Sequence, residues 1–405
     1  MIHQFNTADR DVHHVLIKLA ANFDVSSVLI SNDEAKDDTG KTILAGFGCE
    51  ADLLIDENNF GLIDEFTEQE DYVFTFLSYD LKNWFESLTS SNTDGIEFPD
   101  AYFFTAKFVV EVKNDEIHLL KGDTTKFQEH IDSIHWEKSS AKGQKTGIDL
   151  LAKMDKEDYL ARLTSIKEHI SLGDIYELNF CQEFYQAPFS AFCKYHSKFL
   201  LSTSPERYLK KVGRRLISQP IKGTAKRGES QAEDRKLKNE LAESLKDKTE
   251  NVMVVDLVRN DLGKCAKPGT VVVEELFGLY SFESVHQMIS TISAELKDGL
   301  LFSDIIRYTF PMGSMTGVPK IRVMKLIEEY EVTKRGLYSG AVGYIDKKGD
   351  FDFNVVIRSI LYRTDINYLS SLVGGAITAA SIPEQEYNEC LLKLKTIKEV
   401  LEGTP

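Results

Sequence analysis

Lys222 lies in Pro220-Ile221-Lys222-Gly223-Thr224, a turn framed by proline and glycine after the strand-like stretch 215–219. A lysine fixed on a tight turn is a positioned amine. It can pair with a carboxylate as a cation or, once neutral, attack an electrophile. The Lys-Gly-Thr step is not a phosphate loop, because the glycine-rich run that must precede the lysine is missing. Alone, such a lysine is ordinarily a solvated charge; its company along the chain gives it weight.

That company is acidic and polar. Asp247 and Glu250 are three residues apart on a predicted helix, as are Glu386 and Glu389 near the C-terminus. Like charges at that spacing share one helix face and destabilise it, unless a cation compensates them. They form either a solvated acidic face or an oxygen-only ligand set, which suits Mg²⁺ rather than zinc. The loop Gly313-Ser314-Met315-Thr316-Gly317-Val318-Pro319-Lys320 leads into an amphipathic helix. It is either an ordinary helix start, with Pro319 in the first turn, or an anion site built from free amides and the Thr316 hydroxyl. Gly374-Gly375 ends a strand and marks a close ligand approach or a bulge. His286 is a candidate acid or base near neutral pH, or a structural histidine. Glu206 is a general acid if buried; otherwise it pairs with Arg207.

The elements that must position these groups are legible in outline. Strand signals dominate residues 1 to about 150, with 101–112 aromatic and β-branched and Asn114-Asp115 supplying a turn. Residues 137–147 are polar, rich in Ser, Gly and Lys, and form the one linker candidate. Division there gives a sheet-rich N-terminal lobe (1–147) and a second lobe (148–405). After the linker Asp155 caps a helix with Tyr159, Leu163, Ile166 and Ile170 on one face, and Gly173 stops it. A strand follows over 174–184, then one long helix from Gln231 to about Asn260. Residues 338–345 and 351–361 form a hairpin around Lys347-Lys348-Gly349; 369–378 is a strand, and a helix closes the chain from about Pro383 to Glu402. Helices and strands alternate without a strict βαβ rhythm, which places the fold in the α+β class.

Composition limits the partners. The 405 residues carry 64 acidic against 48 basic side chains, a net charge of -16. Such a surface repels nucleic acid and anionic membranes, so neither is expected as a partner. No apolar run is long enough to span a bilayer, and no basic-then-apolar segment opens the chain. Five cysteines without metal-ligand spacing fit reduced thiols, so the expected location is cytoplasmic.

Taken in order, the segments resemble the chorismate-utilising enzymes, the family of anthranilate, isochorismate, salicylate and aminodeoxychorismate synthases. The resemblance rests on Gly173-Asp174-Ile175-Tyr176, Ser204-Pro205-Glu206-Arg207, the Lys222 motif, and 255–261. It continues through Ser284-Val285-His286-Gln287, the 313–320 loop, 335–340, Ile357-Arg358 and 383–387. It covers roughly residues 150 to 400; before the linker it is carried chiefly by Leu77-Ser78-Tyr79-Asp80-Leu81. It implies a large two-lobed fold of mostly antiparallel sheets flanked by helices, with chorismate bound in the second lobe. It also implies roles. Glu250 and Glu389 would bind Mg²⁺ directly, with Asp247 and Glu386 holding its waters, and the ion would grip the ring carboxylate. Tyr338, Arg358, the backbone at Gly374, and Lys393 would hold the enolpyruvyl carboxylate, with Thr316 in the substrate loop. His286 and Glu206 would stand near the departing hydroxyl.

Lys222 separates the members of that family. Anthranilate and isochorismate synthases resemble one another in carrying alanine there, whereas lysine marks the branch that aminates chorismate at ring carbon 4. The resemblance therefore implies chorismate and ammonia as substrates, with 4-amino-4-deoxychorismate as product. Formation of anthranilate, or non-catalytic binding of chorismate, are the alternatives. Ammonia would come from a separate glutamine amidotransferase subunit, since no such domain is legible in the chain. Glu177 stands where relatives usually have glutamine, or lysine in the water-adding enzymes, and a carboxylate there would raise the pKa of a nearby Lys222. Ala376 and Ala380 replace a usual glycine and aspartate.

Overall fold

Local signals place the first helix of the second lobe at Lys156–Ser171. The Asp155 carboxylate accepts from the Asp158 amide at 2.8 Å, and Tyr159, Leu163 and Ile166 are fully buried on one face. Gly173 ends the helix with φ +77°, a conformation open to glycine at little cost. The computed structural model describes residues 5, 11–30, 43–56, 59–69, 71–113, 116–134, 152–184, 191–282 and 285–401. The linker at 137–147 and the turn Asn114-Asp115 lie outside them.

The periodic stretch from Gln231 is two helices rather than one, Gln231–Glu243 and Leu245–Cys265. Ser244 breaks it. Its backbone is extended and its hydroxyl accepts from the Asp247 amide at 3.2 Å, a cap that starts a new helix. Asp247 and Glu250 therefore sit in the first turns of that helix, with Glu250 buried and facing inward.

The described strand ladders are antiparallel, and they cross the division at residue 147. Strand Val25–Ile30 lies between Ile43–Ile55 and Ala191–Tyr195. Strand Val73–Leu77 lies between Ala101–Lys113 and Ala341–Ile345. The largest apolar cluster likewise joins Phe74, Phe76 and Phe103 to Leu209, Val254 and Phe353. Burying each such side chain is worth about 2 kcal/mol, so the two stretches share one core, and the chain-order division is not a division of the sheet.

Three packing relations position the chemistry. Helices Lys156–Ser171, Lys320–Tyr330 and Pro383–Leu401 pack on strands Glu177–Phe184 and Tyr368–Ile377 through Tyr159, Phe180, Val323, Val373 and Cys390. Strand Ile221–Lys226 pairs with Val285–Glu295, and its register shifts between Ile221 and Thr224. Lys222 thus belongs to an irregular strand rather than a free turn, and such an irregularity re-aims a side chain. Gly223 beside it takes φ +96°. The expected hairpin is Ala341–Ile345 with Phe351–Val355, closed through Gly349. Arg358, at φ +46°, then turns the chain away, and Ser359–Arg363 pairs with Lys198–Ser202 instead.

Candidate active site

Lys222 Nζ donates to Glu177 Oε1 at 3.1 Å, from a side chain only 11% exposed to one only 1% exposed. Burial pushes the ammonium down, but the carboxylates of Glu177, Glu250 and Glu206 outweigh it and hold Lys222 above the ordinary lysine value. The expected effect of Glu177 is therefore present. Its second oxygen, Oε2, is buried without a hydrogen-bond partner.

Glu206 is buried, and burial pushes its carboxyl up to about 7 against the pull of the Ser314 hydroxyl, Lys222 and Arg358. A carboxyl titrating there can give a proton at neutral pH. Arg207 does not pair with it; that guanidinium forms a bidentate pair with Asp352 at 2.8 and 3.0 Å. Arg358 is drawn down by its own burial, with Glu206 as the opposing charge.

The acids continue the same surface. Lys246 Nζ stands 3.2 Å from Glu386 Oε1 and 3.9 Å from Glu250 Oε1. Glu250 Oε1 is buried and accepts no hydrogen bond, and burial pushes this carboxyl up to about 7. A Cβ added at Gly375 would lie 3.3 Å from Glu386 Oε2 and 3.9 Å from Glu389 Oε1, so both carboxylates overhang that glycine. One added at Gly223 would lie 3.1 Å from Asp247 Cγ, which places Asp247 against the Lys222 strand. Lys393 Nζ links Glu389 Oε1 at 2.8 Å to the Gly374 carbonyl at 2.7 Å. Across the strand pair, Cys181 Sγ lies 3.9 Å from the Tyr338 hydroxyl, whose pKa burial drives upward. An all-carboxylate donor set with one orphaned buried oxygen fits a hard divalent cation. Among the described residues no three of these acids are preassembled as metal ligands; Lys246 pairs with Glu386 and Glu250, and Lys393 with Glu389.

A family model for chorismate binding enzymes matches residues 50–186 and 182–399. The chain belongs to the chorismate binding enzyme family. Similar members include aminodeoxychorismate synthase component 1 of Escherichia coli (strain K12), 34% identical over 83% of this chain and 79% of that protein. The protein of the same name from Bacillus subtilis (strain 168) is 30% identical over 84% of this chain and 78% of its own length. Among solved structures, anthranilate synthase component I from Streptococcus pneumoniae TIGR4 superposes with a TM-score of 0.69 at 20% identity, covering 98% of this chain and 89% of that one. The menaquinone-specific isochorismate synthase of Escherichia coli gives 0.74 at 15% identity over 95% and 91%. These likenesses establish the α+β fold of chorismate-utilising enzymes.

Two expected site residues of this family member have polar groups already engaged by other partners. The His286 ring is fully engaged, Nε2 with Asp234 Oδ1 at 3.0 Å and Nδ1 with the Ser281 hydroxyl at 2.9 Å. Thr316 is wholly buried, and its hydroxyl donates within its own loop to the Met312 and Gly313 carbonyls, each at 3.3 Å. Pro319 precedes helix Lys320–Tyr330 rather than entering it. The loop reaches the site by another route. Gly317-Val318 pairs with Leu178 and Glu177, and a Cβ at Gly317 would meet the Glu177 carbonyl at 2.0 Å. Gly374 is equally demanded by packing, since a Cβ there would lie 2.5 Å from the Phe180 carbonyl oxygen.

Gln287 is the residue that sequence reading passed over. Neighbours on a strand face opposite ways, so where His286 meets Asp234, Gln287 turns to the other side, opposite Thr224 in the register. It is 1% exposed, and neither its amide oxygen nor its nitrogen has a partner. An unsatisfied buried amide calls for a ligand group or water.

Proposed function

We propose that this chain makes 4-amino-4-deoxychorismate from chorismate and ammonia, as an aminodeoxychorismate synthase component 1, on the route to 4-aminobenzoate and folate. The observation that carries the reading is the buried Lys222 amine, placed among Glu177, Glu206 and Glu250 where the anthranilate-forming members carry alanine. The neutral amine forms a bond to ring carbon 2, and the ring double bonds shift as the carbon 4–oxygen bond breaks. Glu206 gives its proton to the departing oxygen, which leaves as water. Ammonia then bonds to carbon 4, the carbon 2–nitrogen bond breaks, and its electron pair returns to Lys222. Covalent attack divides one hard displacement into two easier ones. Arg358, Tyr338 and Lys393 would hold the enolpyruvyl carboxylate.

Glu250 and Glu389 would hold Mg²⁺, with Asp247 and Glu386 holding its waters; bound there, the ion supplies positive charge to the ring carboxylate. Glu250→Gln and Glu389→Gln should each abolish Mg²⁺-dependent chorismate binding in isothermal titration. For Glu250→Gln the metal-free protein should be no less stable, because the wild-type carboxyl is buried at a raised pKa. Full turnover in either variant would refute the assignment.

Ammonia is supplied by a separate glutamine amidotransferase subunit in this reading. Hydrolysis of glutamine by a cysteine needs an accessible thiolate. Cys181, Cys193, Cys265 and Cys390 are buried and Cys49 is partly so, and burial raises each thiol. Free thiols also suit a cytoplasmic location, and no helix of the described residues is long and apolar enough to cross a membrane. With chorismate and Mg²⁺, the purified chain should consume chorismate when ammonium is supplied and not when glutamine alone is supplied. Glutamine-dependent turnover by the single chain would contradict the partner assignment.

A further inference from the structure

Lys222 cannot attack as an ammonium, and its proton needs a destination; the side chain is only 11% exposed, so neighbouring groups are the nearest acceptors. Three carboxylates face it: Glu177 from strand Glu177–Phe184, Glu250 from helix Leu245–Cys265, and Glu206 from the segment entering strand Arg207–Val212. Glu206 is committed to the leaving hydroxyl and Glu250 to the cation. Glu177 has neither duty. It is the one in hydrogen-bond contact with Nζ, at 3.1 Å, and its other oxygen is buried and unpartnered. We propose that Glu177 is the base of this active site, taking the proton from Lys222 before attack and returning it when the amine is expelled.

The inference rests on the nucleophile reading of Lys222. An N–H bond of the ammonium breaks and the proton moves to Glu177, leaving a neutral amine beside a neutral carboxyl. The lone pair forms the bond to carbon 2, giving a secondary ammonium, while Glu206 loses its proton to the departing water. When ammonia adds at carbon 4, the lysine leaves as a neutral amine and recovers its proton from Glu177. The new carbon 4 ammonium reprotonates Glu206. No external acid, base or redox partner is required. In this chain a carboxylate already accepts a hydrogen bond from that ammonium, at 3.1 Å.

The test uses the full chain with chorismate and Mg²⁺ but no ammonia, following covalent adduct formation on Lys222 by quenched intact mass and peptide mapping from pH 6 to 9.5. Glutamine at 177 can still hold the lysine by a hydrogen bond but cannot take its proton. Glu177→Gln should form adduct about 10²-fold more slowly than wild type near pH 7.5. Its rate should then climb roughly tenfold per pH unit as hydroxide replaces the missing base. Chorismate affinity should hold or tighten, because one negative charge facing a dianion is gone. Glu177→Asp, which keeps a carboxylate, should stay within about tenfold of wild type. Adduct formation by Glu177→Gln at the wild-type rate would overturn the proposal. A deficit that ignores pH, or that Glu177→Asp shares in full, would reduce Glu177 to a scaffold and overturn it equally. If wild type aminates chorismate yet never carries an adduct, the nucleophile reading itself fails, and the role of Glu177 falls with it.

Discussion

Lys222→Ala should lower kcat/KM for amination by about 10³-fold or more, because the covalent route is lost together with the charge. Any residual product should resemble that of the alanine-bearing members of the family. Lys222→Arg separates the two roles open to this amine. Guanidinium keeps a positive charge for a carboxylate but does not deprotonate in a protein. If Lys222 attacks the ring, arginine should be as inactive as alanine; if it is only a counter-ion, arginine should retain substantial activity. Steady-state kinetics of both variants with ammonium as nitrogen donor decide between them. Near-normal amination by Lys222→Arg would remove the nucleophile and leave the family assignment untouched.

Glu206→Gln should lower kcat by about 10²- to 10⁴-fold, the usual range for a lost general acid. It should also change stability, with a definite sign. The folded carboxyl titrates at about 7 against an ordinary 4.5, chiefly through burial. A raised acid favours the folded state in its protonated form, and that contribution fades as pH rises from about 4.5 through about 7. Wild type should therefore lose up to about 3 kcal/mol across this window that the glutamine variant keeps. Urea unfolding of both proteins at pH 5 and pH 8 measures it. The variant should match wild type at the lower pH and exceed it at the higher. An equal difference at both pH values would place the titration of Glu206 elsewhere.

What was legible in the sequence was what local chemistry controls. The Asp155 cap, the apolar spacing behind it and Gly173 fix helix Lys156–Ser171 without help from the rest of the chain. The break at Ser244 was also written locally, as a Ser-x-x-Asp cap, but the charged periodicity on both sides of it conceals the interruption. Sheet order was out of reach, because the pairing of Val73–Leu77 with Ala341–Ile345 depends on contacts made far along the chain. The converging acids and Lys222 were readable through ordered motifs. His286 and Gln287 show why the face was hard to read: a strand alternates its faces, so a shift of one residue exchanges His286, held by Asp234 and Ser281, for Gln287, whose amide is unpaired. Glu177 stood out as a departure, but only the fold brings it to Lys222, 45 residues further along.

The product decides the central claim. The purified chain, supplied with chorismate, Mg²⁺ and ¹⁵N-ammonium, should release a compound in which the label sits on ring carbon 4, the enolpyruvyl ether is intact and the ring is not aromatic. A downstream lyase should convert it to labelled 4-aminobenzoate with release of pyruvate. Label on ring carbon 2 of an aromatic product, with pyruvate released by the chain alone, would identify anthranilate formation instead and contradict the assignment.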